Sequence, residues 1–191
     1  SLFSFFDFFE LFLLLVLFFP LYYVRSSVCV CTTVNCPVEG ENIIIMGNGN
    51  ANIDYNYTYH NGYEVVVYAV GTITPKSLDQ GTETTSCTQK YARMLEDDGE
   101  QNCDAGHILA NRLGGYGNIP TNIFPQNATS NRGVYAQFEG NIYDYISYNN
   151  LNAELKWEFY YKSDKYTMPI LVNYSAFFDD GYMINSLFQN E

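Results

Sequence analysis

The chain has 191 residues, 47% of them apolar and 17% aromatic, which excludes a disordered polypeptide and supplies one domain with enough side chains for a core. Its net charge of −12 excludes capture of a polyanion by a basic surface alone. An acidic protein that acts on a polyanion needs a cation between the like charges, and turnover in place of tight binding.

In chain order, the first feature is the wholly apolar run Leu11 to Phe19, interrupted by Pro20 and followed by Ser26 and Ser27. It is short for a membrane span of roughly 20 residues and reads as the apolar stretch of a secretory signal peptide over residues 1–29. Asp7 and Glu10 stand before it and no Lys or Arg precedes Arg25. A membrane anchor and a retained apolar segment therefore stay open. Residues 30–191 form the remaining domain, whose charge is nearly the same, because the first 29 hold only Asp7, Glu10 and Arg25.

Export agrees with the cysteines, Cys29, Cys31, Cys36, Cys87 and Cys103. Cleavage after Cys29 leaves four and three possible pairings, of which Cys31–Cys36 and Cys87–Cys103 are favoured. A zinc site is disfavoured because no Cys-x2-Cys pair is present. Asn56-Tyr57-Thr58, Asn127-Ala128-Thr129 and Asn173-Tyr174-Ser175 are N-glycosylation sequons of the same compartment.

Asn42 to Met46 reads as a short strand, and Gly47 to Asn52 as a turn. Ile53 to His60 and Tyr63 to Thr74 read as a hairpin closed by Asn61-Gly62, the strongest short turn signal. Pro75 ends it, and His60 is expected to be exposed beside the turn. Thr82 to Thr88 reads as a loop, Gln89 to Leu95 as a helix, and Asp97-Asp98-Gly99-Glu100 as a solvated loop. Leu113 to Pro120 is glycine-rich and loop-like. Val134, Tyr135, Phe138, Ile142 and Tyr145 form a helical stripe within Asn131 to Tyr148. Leu155 to Tyr161 and Met168 to Phe177 are two late strands. Strands, then loop and helix, then strands give an α+β class with an antiparallel sheet.

Between these elements lies Asp104-Ala105-Gly106-His107, then Asn122-Ile123-Phe124-Pro125-Gln126, Asn131-Arg132-Gly133 and Glu139. Hydrolysis of a phosphodiester needs a base near neutral pH and positive charge on the phosphoryl oxygens. A neutral histidine supplies the first. A Mg2+ ion held by few protein oxygens, and so keeping its waters, supplies the second. Asn131 offers such an oxygen without adding negative charge. Glu139, eight residues on, is displaced about 80° around a regular helix and so is better placed to hold metal-bound water than to share the direct site.

At these residues the sequence resembles the DNA/RNA non-specific endonucleases of the His-Me finger (ββα-metal) superfamily. The shared pattern is Asp-x-Gly-His, Asn-(Ile/Leu)-x-Pro-Gln, Asn-(Arg/Gln)-Gly and a Glu eight residues after that Asn. Gly114-Gly115 looks like the bacterial, toxin-like branch. The resemblance implies a ββα-metal core, with His107 as general base and Asn131 as direct ligand of Mg2+ (Mn2+ or Ca2+ as alternatives). Glu139 would organise the hydrated metal, Asp104 and Asn122 would support the site by hydrogen bonding, and Arg132 would contact a phosphate oxygen. The implied substrate is DNA, with RNA as an open second, cut with little sequence preference to leave a 5′-phosphate; the apolar run, the cysteines and the sequons put that action outside the cell. Ala105 departs from one branch, which carries arginine there, and Tyr135 stands where tryptophan is common. Arg93 and Arg112 are the candidates for an arginine that stabilises the transition state.

Structural readings stand beside these. Asn131 could cap a helix, and Glu139 could be an exposed helix carboxylate. The whole domain could serve as an extracellular structural or adhesive component that assembles with itself, or as a toxin-like nuclease carried on a secreted chain.

Overall fold

The computed structural model describes residues 43–95 and 103–191. The apolar segment at 1–29, the Cys31–Cys36 pairing and the acidic run at 97–100 lie outside them.

Strand β1 (Ile43–Met46) pairs antiparallel with β2 (Ala51–His60), which turns back into β3 (Tyr63–Ile73). Asn61 and Gly62 both take positive φ (49° and 84°), the geometry that an Asn-Gly hairpin turn supplies. Along β2, Ala51, Ile53 and Tyr55 are buried while Asn52, Asp54 and Asn56 are exposed, the period-two alternation of a sheet with one solvated face. A register shift between Asn56 and Tyr57 marks a bulge. Helix α1 (Ser86–Met94) follows, then the short strands β4 (Asp104–His107) and β5 (Ile123–Gln126), which pair only with each other. A helical turn at Ala128–Ser130 and a wide, π-type turn at Asn131–Tyr135 lead into α2 (Ala136–Asn149). Strands β6 (Ala153–Tyr160), β7 (Leu171–Phe178) and β8 (Met183–Gln189) complete a six-stranded sheet of order β1-β2-β3-β6-β7-β8. The architecture is α+β with an antiparallel sheet.

The core lies between the sheet and the β4–β5–α2 layer. Ala153, Leu155, Trp157 and Phe159 point inward from β6, and Phe138, Ile142 and Ile146 descend from α2. Trp157 packs on Tyr174, and Tyr135 and Phe138 each meet both Tyr174 and Phe188. Burial of a Trp or Phe of this kind contributes on the order of 2–3 kcal/mol from apolar area alone.

Several expectations are corrected. Helix α1 begins at Ser86, not Gln89, because Thr85 and Thr88 form a capping box: the Thr85 hydroxyl accepts from Thr88 N, and the Thr88 hydroxyl accepts from Thr85 N. Strand β8 had no sequence signal, since Phe188 is its one buried residue. Asn131 does not cap the helical run. Asn127 does so, its Oδ1 accepting from Thr129 N and Ser130 N. His60 is half-buried, its Nδ1 2.8 Å from the Tyr166 carbonyl and its ring edge-on to Tyr161. Cys87 is disulfide-bonded, but Cys103 is not the sulfur it joins. Cys103 is buried against Ala92 and Ile123, and Ala92 lies about 140° around α1 from Cys87.

Candidate active site

Strands β4 and β5 fix the motif residues. Gly106 pairs with Phe124, and a Cβ at Gly106 would collide with the side chain of Gln126, so only glycine lets the two strands close here. Asn122 is fully buried and uses both ends of its amide. Its Oδ1 accepts from Leu109 N (2.8 Å) and Tyr55 OH (3.0 Å), and its Nδ2 donates to Leu109 O (3.0 Å) and Tyr116 O (3.3 Å). It pins the chain two residues beyond His107 and does not line the open site.

The His107 ring reaches a backbone carbonyl, with Nε2 3.0 Å from Thr82 O. A carbonyl only accepts, so Nε2 carries the proton and Nδ1 of the neutral ring keeps its lone pair. Burial lowers the imidazole below its usual value, against the opposing pull of the Thr82 carbonyl and Glu83. The ring is therefore a neutral base at pH 7, held in one tautomer.

Asp104 gathers Arg132 and Asn131. Arg132 donates from Nε to Oδ2 (2.8 Å) and from Nη2 to Oδ1 (2.6 Å), a two-point fork, and Asn131 Nδ2 donates to Oδ2 (3.0 Å). Burial raises the Asp104 carboxyl, but the hydrogen bonds from Arg132 and Asn131 and the charges of Arg132 and Arg93 outweigh it. The carboxyl ends below the usual range. Because a carboxylate takes the NH2 side of Asn131, the amide oxygen is turned away from Asp104 and accepts no hydrogen bond among the described residues.

An open cavity of about 460 Å³ is lined by His107, Asn131 and Glu139, together with Asp79, Glu83, Asn111 and Arg112. The regular-helix estimate set Asn131 and Glu139 on neighbouring faces; instead both face this cavity. The cause is the π-type turn at Asn131–Tyr135, with Gly133 outside helical dihedrals (φ −111°, ψ −110°). Such a turn acts as a one-residue insertion, which brings residues eight apart to within about 20° of one face. Glu139 has no hydrogen-bond partner among the described residues, and burial pushes its carboxyl up to about 8, the Arg112 charge drawing it only partly back.

This donor set fits a hydrated divalent cation. One neutral amide oxygen accepts no hydrogen bond among the described residues, and a half-buried carboxylate has only the Arg112 charge to set against its burial. No group of three or more His, Cys, Asp or Glu able to enclose a metal occurs among the described residues.

The arrangement brings together His107, Asn131 and Glu139, with Asp104 one layer behind. Arg132 is exposed and tied to Asp104, and it does not line the cavity. The Thr82 carbonyl was missed, because a backbone group leaves no mark on residue type. Asp79, Glu83 and Asn111 were also missed, since they reach the site from other loops. Asn111 donates to Glu83 Oε1 (2.6 Å) and Tyr143 OH to Asp79 Oδ2 (2.6 Å).

Comparison with known proteins bears on the family and the fold. The family model of the DNA/RNA non-specific endonucleases matches residues 48–175. Probable deoxyribonuclease RhsA of Dickeya dadantii (strain 3937) is 34% identical over 131 residues, which is 69% of this chain and 9% of that relative's length. Among solved structures, Sda1 nuclease with bound zinc ion aligns over 73% of this chain and 76% of its own, with a TM-score of 0.52 and 15% identity. An extracellular endonuclease aligns over 87% of each chain, with a TM-score of 0.54 and 9% identity. At these identities the two structures share the fold.

Proposed function

Because the chain belongs to the DNA/RNA non-specific endonuclease family, we propose that it hydrolyses phosphodiester bonds of DNA, and of RNA as a second substrate, with a divalent cation. The observation that carries this reading is the shared cavity, lined by both His107 and Asn131, whose Nδ1 and Oδ1 have no hydrogen-bond partner among the described residues. Nδ1 of His107 takes a proton from water as the water oxygen attacks phosphorus. The bond from phosphorus to the 3′ oxygen breaks, its electron pair leaves on that oxygen, which takes a proton from solvent to become the 3′ hydroxyl, and a 5′-phosphate remains. Asn131 Oδ1 would hold the cation directly, and the Glu139 carboxylate would hold its waters. When bound, that cation would supply positive charge to the phosphoryl and leaving oxygens. Asp104 keeps Asn131 turned toward the cavity, and the Thr82 carbonyl keeps the His107 tautomer.

Mg2+ is the proposed ion, with Mn2+ and Ca2+ as alternatives; the zinc of Sda1 adds Zn2+ to the ions worth testing. Cleavage with little sequence preference follows if contacts go to the backbone phosphates. Action outside the cell is supported by the apolar stretch at 11–19 and by the extracellular fold relative.

The test is nicking of supercoiled plasmid by wild type and His107→Ala across a metal series, with an EDTA control. Wild type should nick only with metal, and the variant should not. A wild type as inert as the variant in every metal rejects the reading in favour of a structural, self-assembling component.

A further inference from the structure

Among the described residues, one cation of the site has its hydrogen bonds unspent. Arg112 is the single Lys or Arg among the residues lining the cavity. Its guanidinium makes no hydrogen bond or ion pair among the described residues, in contrast to Arg132, whose fork is spent on Asp104. Arg93 acts on Asp104 from α1 and does not line the cavity.

The placement of Arg112 is built from both sides. Its backbone lies in the 3-10 turn Asn111–Leu113, and its carbonyl accepts from Asp79 N (3.0 Å). Its Nη1 passes 3.2 Å from where a Cβ at Gly140 would stand, one residue beyond Glu139, so the missing side chain leaves the guanidinium room against α2. The cavity carboxylates of Asp79 and Glu83 are already engaged by Tyr143 and Asn111. A free planar fork on an otherwise acidic cavity is the complement of a phosphodiester's two non-bridging oxygens.

We propose that Arg112 is the catalytic arginine of this site, donating to a non-bridging oxygen of the scissile phosphate and stabilising the charge that develops there. This rests on the nuclease reading above. The experiment compares kcat and KM of wild type, Arg112→Ala, Arg112→Lys and the surface control Lys162→Ala on plasmid DNA. It uses saturating metal from pH 6 to 9.5, with and without added guanidinium ion.

Arg112→Ala should lower kcat/KM about 100-fold at every pH and regain part of it with guanidinium. Arg112→Lys should fall between it and wild type, because an ammonium keeps the charge and loses the fork. Lys162→Ala should stay within about twofold. Thermal unfolding shows whether each variant is folded; if Arg112→Ala is not, Arg112→Lys carries the same test, with about tenfold loss expected. Two results overturn the assignment. One is a folded variant within threefold of wild type. The other is a loss that disappears above pH 9, which makes Arg112 only a charge that keeps Glu139 ionised. A wild type inert in all metals rejects the nuclease reading itself and is thereby distinguishable.

Discussion

The six-stranded sheet and the β4–β5–α2 unit use buried groups in opposite ways. Inside the sheet face the side chains are apolar or aromatic, among them Ile53, Leu155, Trp157 and Phe178, and any one of them is held by many weak contacts. In the β4–β5 region polar groups go inside. Asn122 and Gln126 are buried, and Asn122 is held by four hydrogen bonds of defined direction. The lesson is a division of labour. The sheet supplies stability that is spread over area, while the small unit fixes the direction of a few polar atoms. Substitutions in the two regions should therefore fail differently.

The largest separation is expected from His107→Ala. The rate of plasmid cleavage should fall about 1,000-fold or more, with the melting temperature within a few degrees of wild type. Equal loss of stability would place His107 with the packing residues. Trp157→Ala is the converse case. It removes a fully buried indole and should cost about 3–5 kcal/mol in urea unfolding, with cleavage per folded molecule unchanged. A specific rate that dropped with Trp157 would dissolve the division.

Asp104→Asn sharpens the comparison within the small unit. It leaves the side-chain volume and removes the charge that gathers Asn131 and Arg132. Cleavage should drop about 10- to 100-fold, while the melting temperature stays close to that of wild type, because the pair with Arg132 is exposed to solvent. An unchanged apparent metal affinity would show that Asn131 needs no such support.

The smallest effect concerns pH. Glu139 has its folded pKa raised to about 8 from an ordinary 4.5, so the folded state holds a proton that the unfolded chain has released. Its contribution to stability is present below the ordinary value and is lost as pH rises toward 8. In EDTA the melting temperature of wild type should fall by a few degrees more than that of Glu139→Gln between pH 5 and 8, and added divalent cation should recover the difference. Parallel curves for the two proteins would mean that the carboxylate is already compensated.

The sheet was largely legible because its signals are local. Asn61-Gly62 asks for two positive φ values, and β2 and β6 alternate over whole strands. Strand β8 escaped notice because an edge strand with one inward Phe188 has little period to show. The start of α1 was hidden in a Thr-x-x-Thr capping pair, where Glu or Gln is the usual fourth residue. Strands β4 and β5 are four residues long, and β5 contains Pro125, so periodicity had nothing to measure. In the site, His107, Asn131 and Glu139 were visible as residue types at a fixed spacing. Their common cavity was not, because the π-type turn breaks the helical phase between Asn131 and Glu139. The orienting Thr82 carbonyl depends on a loop closing over β4 from twenty-five residues away.

In the proposed function, cation holding and proton removal fall to different residues of one cavity. Calorimetric titration of Mn2+ into wild type, His107→Ala and Asn131→Ala tests this most directly. His107→Ala should bind the ion as wild type does while failing to cleave, and Asn131→Ala should bind it at least about tenfold more weakly. Unchanged binding by Asn131→Ala would contradict the account.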